Sequence, residues 1–219
     1  MAAVSLRFTT RADGDLHIAG DPDHLASRRS RVAPGRWTWL RQVHGARVVV
    51  VDEPGGAAGE EADAAVTARP GAVLAVHTAD CVPVLLHDRD AGVVGAAHAG
   101  WRGLLHGVLA GTVEAMARLG ASAITADVGP HIRARCYEFG GDELDVVADR
   151  FGEAVRSETA WGTPALDLHA AVLAALGQRP EVVAVSSRPG CTACEPEHFF
   201  SHRARADSGR HAATVVLEP

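Results

Sequence analysis

The sequence predicts a mixed α+β fold in a single domain that spans residues 1–219. Three observations support this class. Apolar runs of strand length recur between turn-forming residues. These runs come in clusters of two or three between helical patterns, which argues against a plain doubly wound sheet. No linker, low-complexity tract or internal repeat interrupts the 219 residues, and a hydrophobic content of 47% is enough for one substantial core.

Eight segments are predicted to form strands. Several are rich in β-branched residues and almost continuously apolar, which is typical of strands that are covered on both faces. Turn residues such as glycine, proline and aspartate bound most of them. The predicted strands cover residues 4–8, 47–51, 72–77, 82–87, 93–97, 124–128, 181–185 and 213–217.

The longest helical pattern covers residues 102–119. Apolar residues recur there at intervals of three and four, and Gly120 follows as a C-terminal stop. Gly103, Gly107 and Gly111 fall on one stripe of this helix. Each lowers the intrinsic helix stability, but each also lets another backbone come close.

Two weaker helical patterns and one loop complete the prediction. Helices are expected within residues 141–156 and 165–177, and Asp167 is a suitable N-cap for the second. Residues 52–63, with the sequence DEPGGAAGEEAD, are predicted to form one acidic, glycine-rich surface loop.

The charged residues exclude several classes of function. All 21 residues counted as Lys+Arg are arginine, which excludes a Walker phosphate loop and a Schiff-base lysine. The formal net charge of −6 argues against nucleic acid as a partner. No run of about 18 apolar residues occurs, and the N-terminus does not resemble a signal peptide. We therefore expect a cytoplasmic protein without a membrane segment.

The four cysteines are expected to be reduced thiols. They are Cys81, Cys136, Cys191 and Cys194, too few for a disulfide scaffold of this length. The stretch CTACEPEH suggests a structural metal site, but a single Cys-x-x-Cys without a second pair of ligands is a weak signal. The sequence favours a partly buried thiol pair in a tight turn over a metal there.

Three potential metal ligands lie at predicted strand ends. His98 follows one apolar strand, Cys81 lies at the bend between two others, and His44 precedes a fourth. Two imidazoles and a thiolate suit a borderline-soft ion such as zinc, and three protein ligands leave one position open for catalysis. The spacing matches no local metal motif, so a role for each histidine in surface or core hydrogen bonding stays open at this point.

Several sequence blocks resemble one family over nearly the whole chain. They are RQVHG, ADAAVTARPGAVLAVHTADCVPVLLHD, VGAAHAGWRG, GPHIRARCYEFGGDEL, CTACEPEHFFSHR and SGRHAA. The family is the zinc-dependent purine nucleoside phosphorylases, formerly described as laccase-domain or multicopper polyphenol oxidoreductases. The resemblance implies stacked mixed sheets flanked by helices, as in the catalytic domain of cytotoxic necrotizing factors. It implies zinc, or copper in the older description, bound by His44, Cys81 and His98.

The resemblance also implies a reaction and its partners. The expected activity is phosphorolysis of adenosine, inosine, guanosine and methylthioadenosine, with adenosine deamination in addition. A nucleoside and phosphate would be the partners, with no nucleic acid or membrane, and the oligomeric state stays open. Cys81, His98 and Arg102 are the candidate catalytic residues.

Three further residues are candidates for substrate or phosphate binding. They are Arg11, Gln42 and Trp101. Arg102 at a helix N-terminus already suits phosphate, and Arg11 is a second candidate for phosphate because FTTR resembles the N-terminal block of the family. Gln42 belongs to the RQVHG block. Trp101 is placed to stack on a purine, although packing explains an indole beside glycine equally well.

The chain departs from the family pattern at three places. A glycine-rich region expected after FTTRADGDL is largely missing, which affects one wall of a substrate pocket. Val172 replaces an asparagine, and Ala204 replaces the second of two adjacent arginines. The three proposed ligands are intact. We therefore expect metal binding to be preserved and the substrate preference to be less fixed.

Two other classes of function are compatible with the same residues. In the first, Cys81 is a nucleophile and His98 its base, in a cysteine-type hydrolase or amidase that acts on cell-wall precursors, as in family members described as peptidoglycan editing factors. In the second, the protein is a non-catalytic binding or regulatory partner. An oxidase ranks last, because no His-x-His cluster for copper occurs.

Overall fold

A computed structural model describes residues 2–218 and confirms the α+β class. The described residues form strands, helices and three short 3-10 turns in mixed order. The strands are β1 Val4–Phe8, β2 Trp37–Trp39, β3 Val48–Val50, β4 Ala64–Thr67, β5 Val73–Thr78, β6 Val82–Asp88, β7 Val93–Ala99, β8 Ile124–Val128, β9 Arg156–Glu158, β10 Pro164–Leu166, β11 Val182–Ser187 and β12 His211–Leu217. The helices are α1 Pro22–Val32, α2 Trp101–Leu105, α3 Val108–Arg118, α4 Gly141–Phe151, α5 Leu168–Gly177 and α6 His202–Arg205.

The strands form two large mixed sheets and one small hairpin. The first sheet has the order β1-β12-β5-β2, in which only the β2–β5 pair is parallel. The second has the order β11-β8-β6-β7-β4-β3, with parallel pairs at both edges and antiparallel pairs in the centre. Strands β9 and β10 pair separately. Antiparallel neighbours in the centre explain why the predicted strands clustered instead of alternating with helices.

The two large sheets stack face to face and share a core. Leu74 and Val215 of the first sheet pack in one apolar cluster with Leu85 and Val94 of the second. The outer face of the first sheet is covered by α1, and the outer face of the second by α3, α4 and α5. Both faces of the central strands are therefore buried, which is why the first five residues of β6 are all apolar.

The predicted helix over residues 102–119 is interrupted. Helix α2 ends at Leu105, and α3 begins at Val108 after Gly107, which adopts the left-handed conformation with φ 88°. Glycine adopts this conformation without the steric penalty that other residues incur, so it makes the break possible. The prediction of one continuous helix is wrong at this point.

The helix predicted within residues 165–177 is confirmed as α5, and the Asp167 side chain caps it by accepting a hydrogen bond from the backbone N–H of Ala170 at 3.0 Å. Residues 165 and 166 of the predicted segment belong to strand β10 instead. Helix α4 lies within the predicted segment 141–156. Among residues 2–218, no helix has the length and apolar character needed to cross a bilayer.

The ends of three central strands converge on one side of the molecule. Strand β5 ends and β6 begins around Cys81, and His98 lies near the end of β7, directly opposite Pro83 of β6. The loop before β3 carries His44 to the same place. A rigid sheet edge of this kind brings together side chains that are far apart in sequence.

Candidate metal centre

His44, Cys81 and His98 lie together at this sheet edge. One ligand atom from each residue lies within 4.8 Å of the other two. Nε2 of His44 is 3.7 Å from Sγ of Cys81, and the rings of His44 and His98 meet edge to face with centroids 4.8 Å apart. His98 is buried, Cys81 half-buried and His44 exposed, so the group opens to solvent on the side of His44.

A buried carboxylate, Asp63, positions two of these three residues. It accepts hydrogen bonds from the backbone N–H groups of Val43, His44 and Gly45 at 3.2, 3.0 and 2.8 Å. It also lies 2.8 Å from Nδ1 of His98. A carboxylate can only accept, so Nδ1 keeps its proton and Nε2 is the nitrogen that can bind a metal after it loses its own proton.

The sequence did not identify Asp63 as part of the site. It is the last residue of the segment 52–63, which was predicted to be a surface loop, but its side chain has no solvent exposure. Burial opposes its ionisation, but hydrogen bonds from His98 and from the backbone hold its pKa below the usual value. Ala62 is fully buried as well, so the surface-loop prediction is wrong at its last two residues.

A second buried carboxylate, Asp80, fixes the turn that carries Cys81. It has the uncommon φ of 102°. Its side chain accepts hydrogen bonds from the hydroxyls of Thr192 and Ser201, both at 2.6 Å, and from the backbone N–H of Arg203 at 2.7 Å. Three donors from another part of the chain thus hold a strained backbone conformation next to a metal-ligand candidate.

Two glycines of the stretch HAGWRG allow the close approach of these elements. A Cβ atom on Gly100 would lie 2.7 Å from Cδ2 of His44 and 3.1 Å from Sγ of Cys81. A Cβ atom on Gly103 would lie 3.1 Å from the carbonyl oxygen of Gly45. Neither glycine has positive φ in this structure, so space and not backbone conformation requires the absence of a side chain.

The pKa values of Cys81 and His98 are shifted toward an ion pair. Burial opposes the thiolate of Cys81, but the charge of His98 and hydrogen bonds from His44 and His98 outweigh it and lower the pKa to about 6. Burial also opposes the imidazolium of His98, but the charge of Cys81 and the hydrogen bond with Asp63 raise its pKa to about 9. Near neutral pH the centre holds a thiolate, the form that binds metals.

These observations fit a metal ion. Two imidazole nitrogens and a thiolate sulfur form the donor set that borderline-soft divalent ions prefer. The hydrogen bond between His98 and Asp63 is the kind of support that metal-binding histidines usually have. The space that a Cβ atom on Gly100 would fill is left free beside two of the ligands.

The centre lies in the wall of a cavity of about 460 Å³. This volume is in the range of small-molecule sites. Arg102 and Trp101 of α2 line it, and the guanidinium of Arg102 lies 4.3 Å from the centroid of the Trp101 ring. Trp101 also packs edge to face on Phe139, with centroids 5.3 Å apart. The indole therefore packs against the protein and still borders the cavity.

Arg11 does not join this group. Its guanidinium forms an ion pair with Asp207 at 2.7 Å, donates to the carbonyl oxygen of Phe199 and lies over the Phe200 ring. It is not among the residues that line the cavity. The structure thus gives Arg11 a role in holding the segment around residue 200, and we no longer assign it to phosphate.

Gln42 lines the cavity, but both ends of its amide are engaged. Nε2 donates to the carbonyl oxygen of His77 and Oε1 accepts from the N–H of His77, each at 2.7 Å. The side chain therefore ties the loop that carries His44 to strand β5. This arrangement makes Gln42 a positioning residue more than a direct substrate contact.

Several residues that line the cavity were not identified from the sequence. The side chain of His77 is buried, both its ring nitrogens lack a hydrogen-bond partner, and burial lowers its pKa to about 3. Burial raises the pKa of Tyr137 to about 12, so its hydroxyl stays protonated, and the guanidinium of Arg203 lies 5.0 Å from its ring centroid. Both residues lie in sequence blocks quoted above, but nothing in their local pattern separates them from core residues.

Comparisons with known proteins agree with this geometry. Residues 3–218 match the family model described as multi-copper polyphenol oxidoreductase laccase. A purine nucleoside phosphorylase of Streptomyces griseus is 46% identical over 222 residues, which cover 94% of this chain and 88% of that protein. A purine nucleoside phosphorylase of Mycobacterium bovis is 41% identical and covers 96% of this chain and 86% of its own length.

Solved structures show the same fold. A Neisseria meningitidis protein of the DUF152 family superimposes with a TM-score of 0.87 at 32% identity, over 100% of this chain and 96% of that one. YlmD from Geobacillus stearothermophilus gives a TM-score of 0.84 at 29% identity, over 99% and 92%. The match covers almost the whole chain, so this protein belongs to the family described as multi-copper polyphenol oxidoreductase laccase.

Proposed function

We propose that this protein is a zinc-dependent purine nucleoside phosphorylase that also deaminates adenosine. The observation that carries the proposal is the placement of His44, Cys81 and His98 in the wall of a cavity that arginine side chains also line. The names of the relatives support the substrate class. We further propose that residues 1–219 act as one domain, and that the protein works in the cytoplasm, where its four free cysteines would stay reduced.

Zinc is the ion that the donor set favours. It prefers mixed nitrogen and sulfur ligands, and three protein ligands leave one coordination position open. When bound, the ion supplies Lewis-acid chemistry at that position. Copper in an oxidase would need several sites, and this chain contains no His-x-His sequence to build them. The oxidoreductase wording of the family model is therefore not carried over to this protein.

Phosphorolysis makes two demands on the remaining residues. A phosphate oxygen bonds to the ribose C1′ while the bond from C1′ to the purine nitrogen breaks, and the purine leaves with the electron pair and gains a proton. The protein must hold phosphate close and stabilise charge on the departing base. Arg102 and Arg203 line the cavity, and each guanidinium lies over an aromatic ring, which leaves N–H groups at its edge to bind phosphate.

The aromatic residues suit the purine. Trp101 presents an indole to the cavity, and Tyr137 presents a protonated hydroxyl that can donate a hydrogen bond to a ring nitrogen. His77 is neutral because its pKa is about 3, so its unpaired ring nitrogens can accept as well as donate hydrogen bonds. Trp101, Tyr137 and His77 are proposed to orient the base, and Gln42 is proposed to hold the loop that carries His44 in place.

A cysteine-type hydrolase that acts on cell-wall precursors stays as a second candidate. The observation in its favour is the chain of Cys81, His98 and Asp63, in which a thiol of lowered pKa adjoins an imidazole held by a carboxylate. The same three roles occur in cysteine hydrolases. This candidate requires no metal, and that requirement separates it from the phosphorylase.

The test is a panel of purine nucleosides given to the purified protein with and without inorganic phosphate. The panel contains adenosine, inosine, guanosine and methylthioadenosine, with uridine as the pyrimidine control, and chromatography separates the products. Only when phosphate is present do we expect free purine together with ribose 1-phosphate, or with methylthioribose 1-phosphate from methylthioadenosine. Adenosine should yield inosine in the absence of phosphate, since deamination consumes only water.

Metal removal completes this test. A chelator should abolish both reactions, and added zinc should restore them. Hydrolysis of a cell-wall precursor by the chelated protein, with loss on alkylation of Cys81, would favour the hydrolase instead. Zinc-loaded protein that releases no purine with phosphate and makes no inosine from adenosine would contradict the proposal.

A further inference from the structure

The three cysteines that the metal centre does not use converge on one surface turn. Cys191 and Cys194 lie in the turn that follows β11, and Cys136 comes from a 3-10 turn, Ala134–Cys136, that lies 55 residues earlier in the chain. Their sulfur atoms all lie within 4.8 Å of one another, and Sγ of Cys136 is 2.7 Å from Sγ of Cys194. The sequence suggested the pair of Cys191 and Cys194, but gave no sign that Cys136 joins them.

The donor set of this group is pure sulfur. No histidine or carboxylate belongs to the group among residues 2–218. The carboxylate of Glu195, the nearest acidic residue in the chain, accepts a hydrogen bond from the backbone N–H of Cys191 at 2.7 Å and is thereby engaged with the turn. Three thiolates without nitrogen or oxygen ligands select thiophilic ions such as Zn²⁺, Cd²⁺ or Cu⁺.

Hydrogen bonds hold the turn in its shape without any ion. The N–H of Cys194 donates to the carbonyl oxygen of Cys191 at 3.1 Å. The guanidinium of Arg205 donates to the carbonyl oxygens of Thr192 and Ala193 at 2.9 and 3.0 Å. The two sulfurs of this turn are therefore preorganised, which lowers the entropic penalty of binding an ion.

One of the sulfurs also accepts a backbone hydrogen bond. Sγ of Cys191 lies 3.4 Å from the backbone nitrogen of Arg133, and the N–H points at it. Donation from an N–H to sulfur favours the thiolate over the thiol, and thiolates are the form that binds metals. Arg135 precedes Cys136, and Arg203 lines one cavity together with Cys136. These positive charges lie near the group and balance the negative charge of three thiolates around a dication.

Solvent reaches the group from two sides. Cys194 is exposed, and Cys136 lines a second cavity of about 600 Å³ together with Ala193 and Arg203. An ion therefore has an entry path, and a fourth position is available for water or a small ligand.

We propose that Cys136, Cys191 and Cys194 form a second metal site, which binds a thiophilic d¹⁰ cation with Zn²⁺ as its physiological occupant. Three converging sulfurs favour a cation over a disulfide, because a disulfide joins two sulfurs and leaves the third without a role.

The site would be structural. The turn that it fixes carries Thr192, whose hydroxyl donates to Asp80 beside Cys81. The ion would thus tie the 3-10 turn before Tyr137 to the segment that supports the first centre. Loss of this ion is expected to lower the midpoint of thermal unfolding more than it changes the chemistry in the cavity.

The experiment counts zinc in the full-length chain kept under a phosphine reductant and without oxygen. Elemental analysis of the parent protein is expected to give about two ions per chain. Cys81→Ala should retain about one of them, because the three-cysteine group is intact. Cys136→Ser/Cys194→Ser should also retain about one, and the combination of all three substitutions should retain none. The exposed Cys194 and half-buried Cys136 are chosen because their replacement by serine disturbs little packing.

A spectroscopic measurement keeps the test independent of folding defects. Cobalt loaded into Cys81→Ala should show the strong sulfur-to-cobalt charge-transfer absorption of several thiolates, and this absorption should vanish when Cys136 is also replaced. One zinc per reduced parent chain, unchanged by Cys136→Ser/Cys194→Ser, would overturn the proposal. So would a Cys136–Cys194 disulfide that persists in the reduced, zinc-exposed protein, as detected by mass spectrometry.

Discussion

Two groups of three potential ligands differ in almost every property except their number. The first, His44, Cys81 and His98, mixes nitrogen and sulfur and lies at the end of a buried sheet, where Asp63 fixes two of its members. The second group is all sulfur and lies on a turn held by backbone hydrogen bonds. The first faces an arginine-lined cavity of about 460 Å³. These differences support our proposals that the first group carries the chemistry and that the second gives structural support.

The largest expected effect follows from removing the sulfur of the first group, and removal of one sulfur from the second group serves as the control. Cys81→Ala should reduce phosphorolysis to background, because it deletes a ligand of the only group that faces the arginine-lined cavity among the residues described. Cys194→Ser, its matched control in the other group, should keep most of the activity. The measurement is purine release at saturating phosphate. Equal loss in the two variants would erase the distinction between the groups.

The close approach at Gly100 gives the next largest effect. In Gly100→Ala the new Cβ atom would lie 2.7 Å from Cδ2 of His44, so this ligand must move. We expect kcat/KM to fall roughly 100-fold, as for other displacements on the scale of 1 Å at a catalytic site. Gly177→Ala is the control, since its Cβ atom meets nothing within 4 Å. If the two alanine variants have the same kcat/KM, the crowding at Gly100 has no functional role.

The carboxylate behind the first group should have a smaller effect. Asp63→Asn keeps the shape of the side chain but removes the charge that holds the Nδ1 proton of His98. The zinc affinity of the first group should fall roughly 10- to 100-fold, while the three-cysteine group keeps its zinc. Competition with a zinc chelator measures both. Glu61→Gln is the matched control, because Glu61 lies in the same loop with an exposed side chain. An unchanged affinity in Asp63→Asn would show that Asp63 only shapes the loop.

The smallest expected effect is the change in zinc affinity per pH unit. Without a metal, the pKa of His98 is raised to about 9 and that of Cys81 is lowered to about 6. Zinc must therefore displace the proton of His98 anywhere between these values, and the zinc affinity of the first group should rise about tenfold per pH unit. Below about 6, Cys81 also takes up a proton and the loss of affinity becomes steeper. Chelator competition at several pH values in Cys136→Ser/Cys194→Ser measures the slope. A flat profile between the two pKa values contradicts this assignment.

The strands were predicted best where apolar residues run or alternate between turn residues. Strands β1 and β8 have the predicted bounds, and β6 is one residue longer than predicted. Apolar and polar residues alternate in β1, in agreement with its alternating burial, whereas β6 is buried throughout. Two helices and four strands were missed, namely α1, α6, β2, β4, β9 and β10. Helix α1 has many charged residues, β2 has only three residues and β4 is largely alanine, so none shows a strong hydrophobic period. Their structure depends on contacts with the stacked sheets.

The site was predicted only in part, for a related reason. The resemblance to the family suggested His44, Cys81 and His98, and their positions at strand ends made a common site plausible. Asp63 and Cys136 were missed because each meets its partners through tertiary contacts. Asp63 ends a segment that looks like an acidic surface loop, and Cys136 lies 55 residues before its nearest cysteine partner. Local spacing carries no information about such contacts.

X-ray absorption at the zinc edge tests the assignment of the first group most directly. The sample is Cys136→Ser/Cys194→Ser, in which zinc is left only at His44, Cys81 and His98. We expect one sulfur at about 2.3 Å and nitrogen or oxygen atoms at about 2.0–2.1 Å, with the multiple-scattering pattern of two imidazoles. A shell of oxygen alone, or of several sulfurs, would contradict a metal centre built from these three residues.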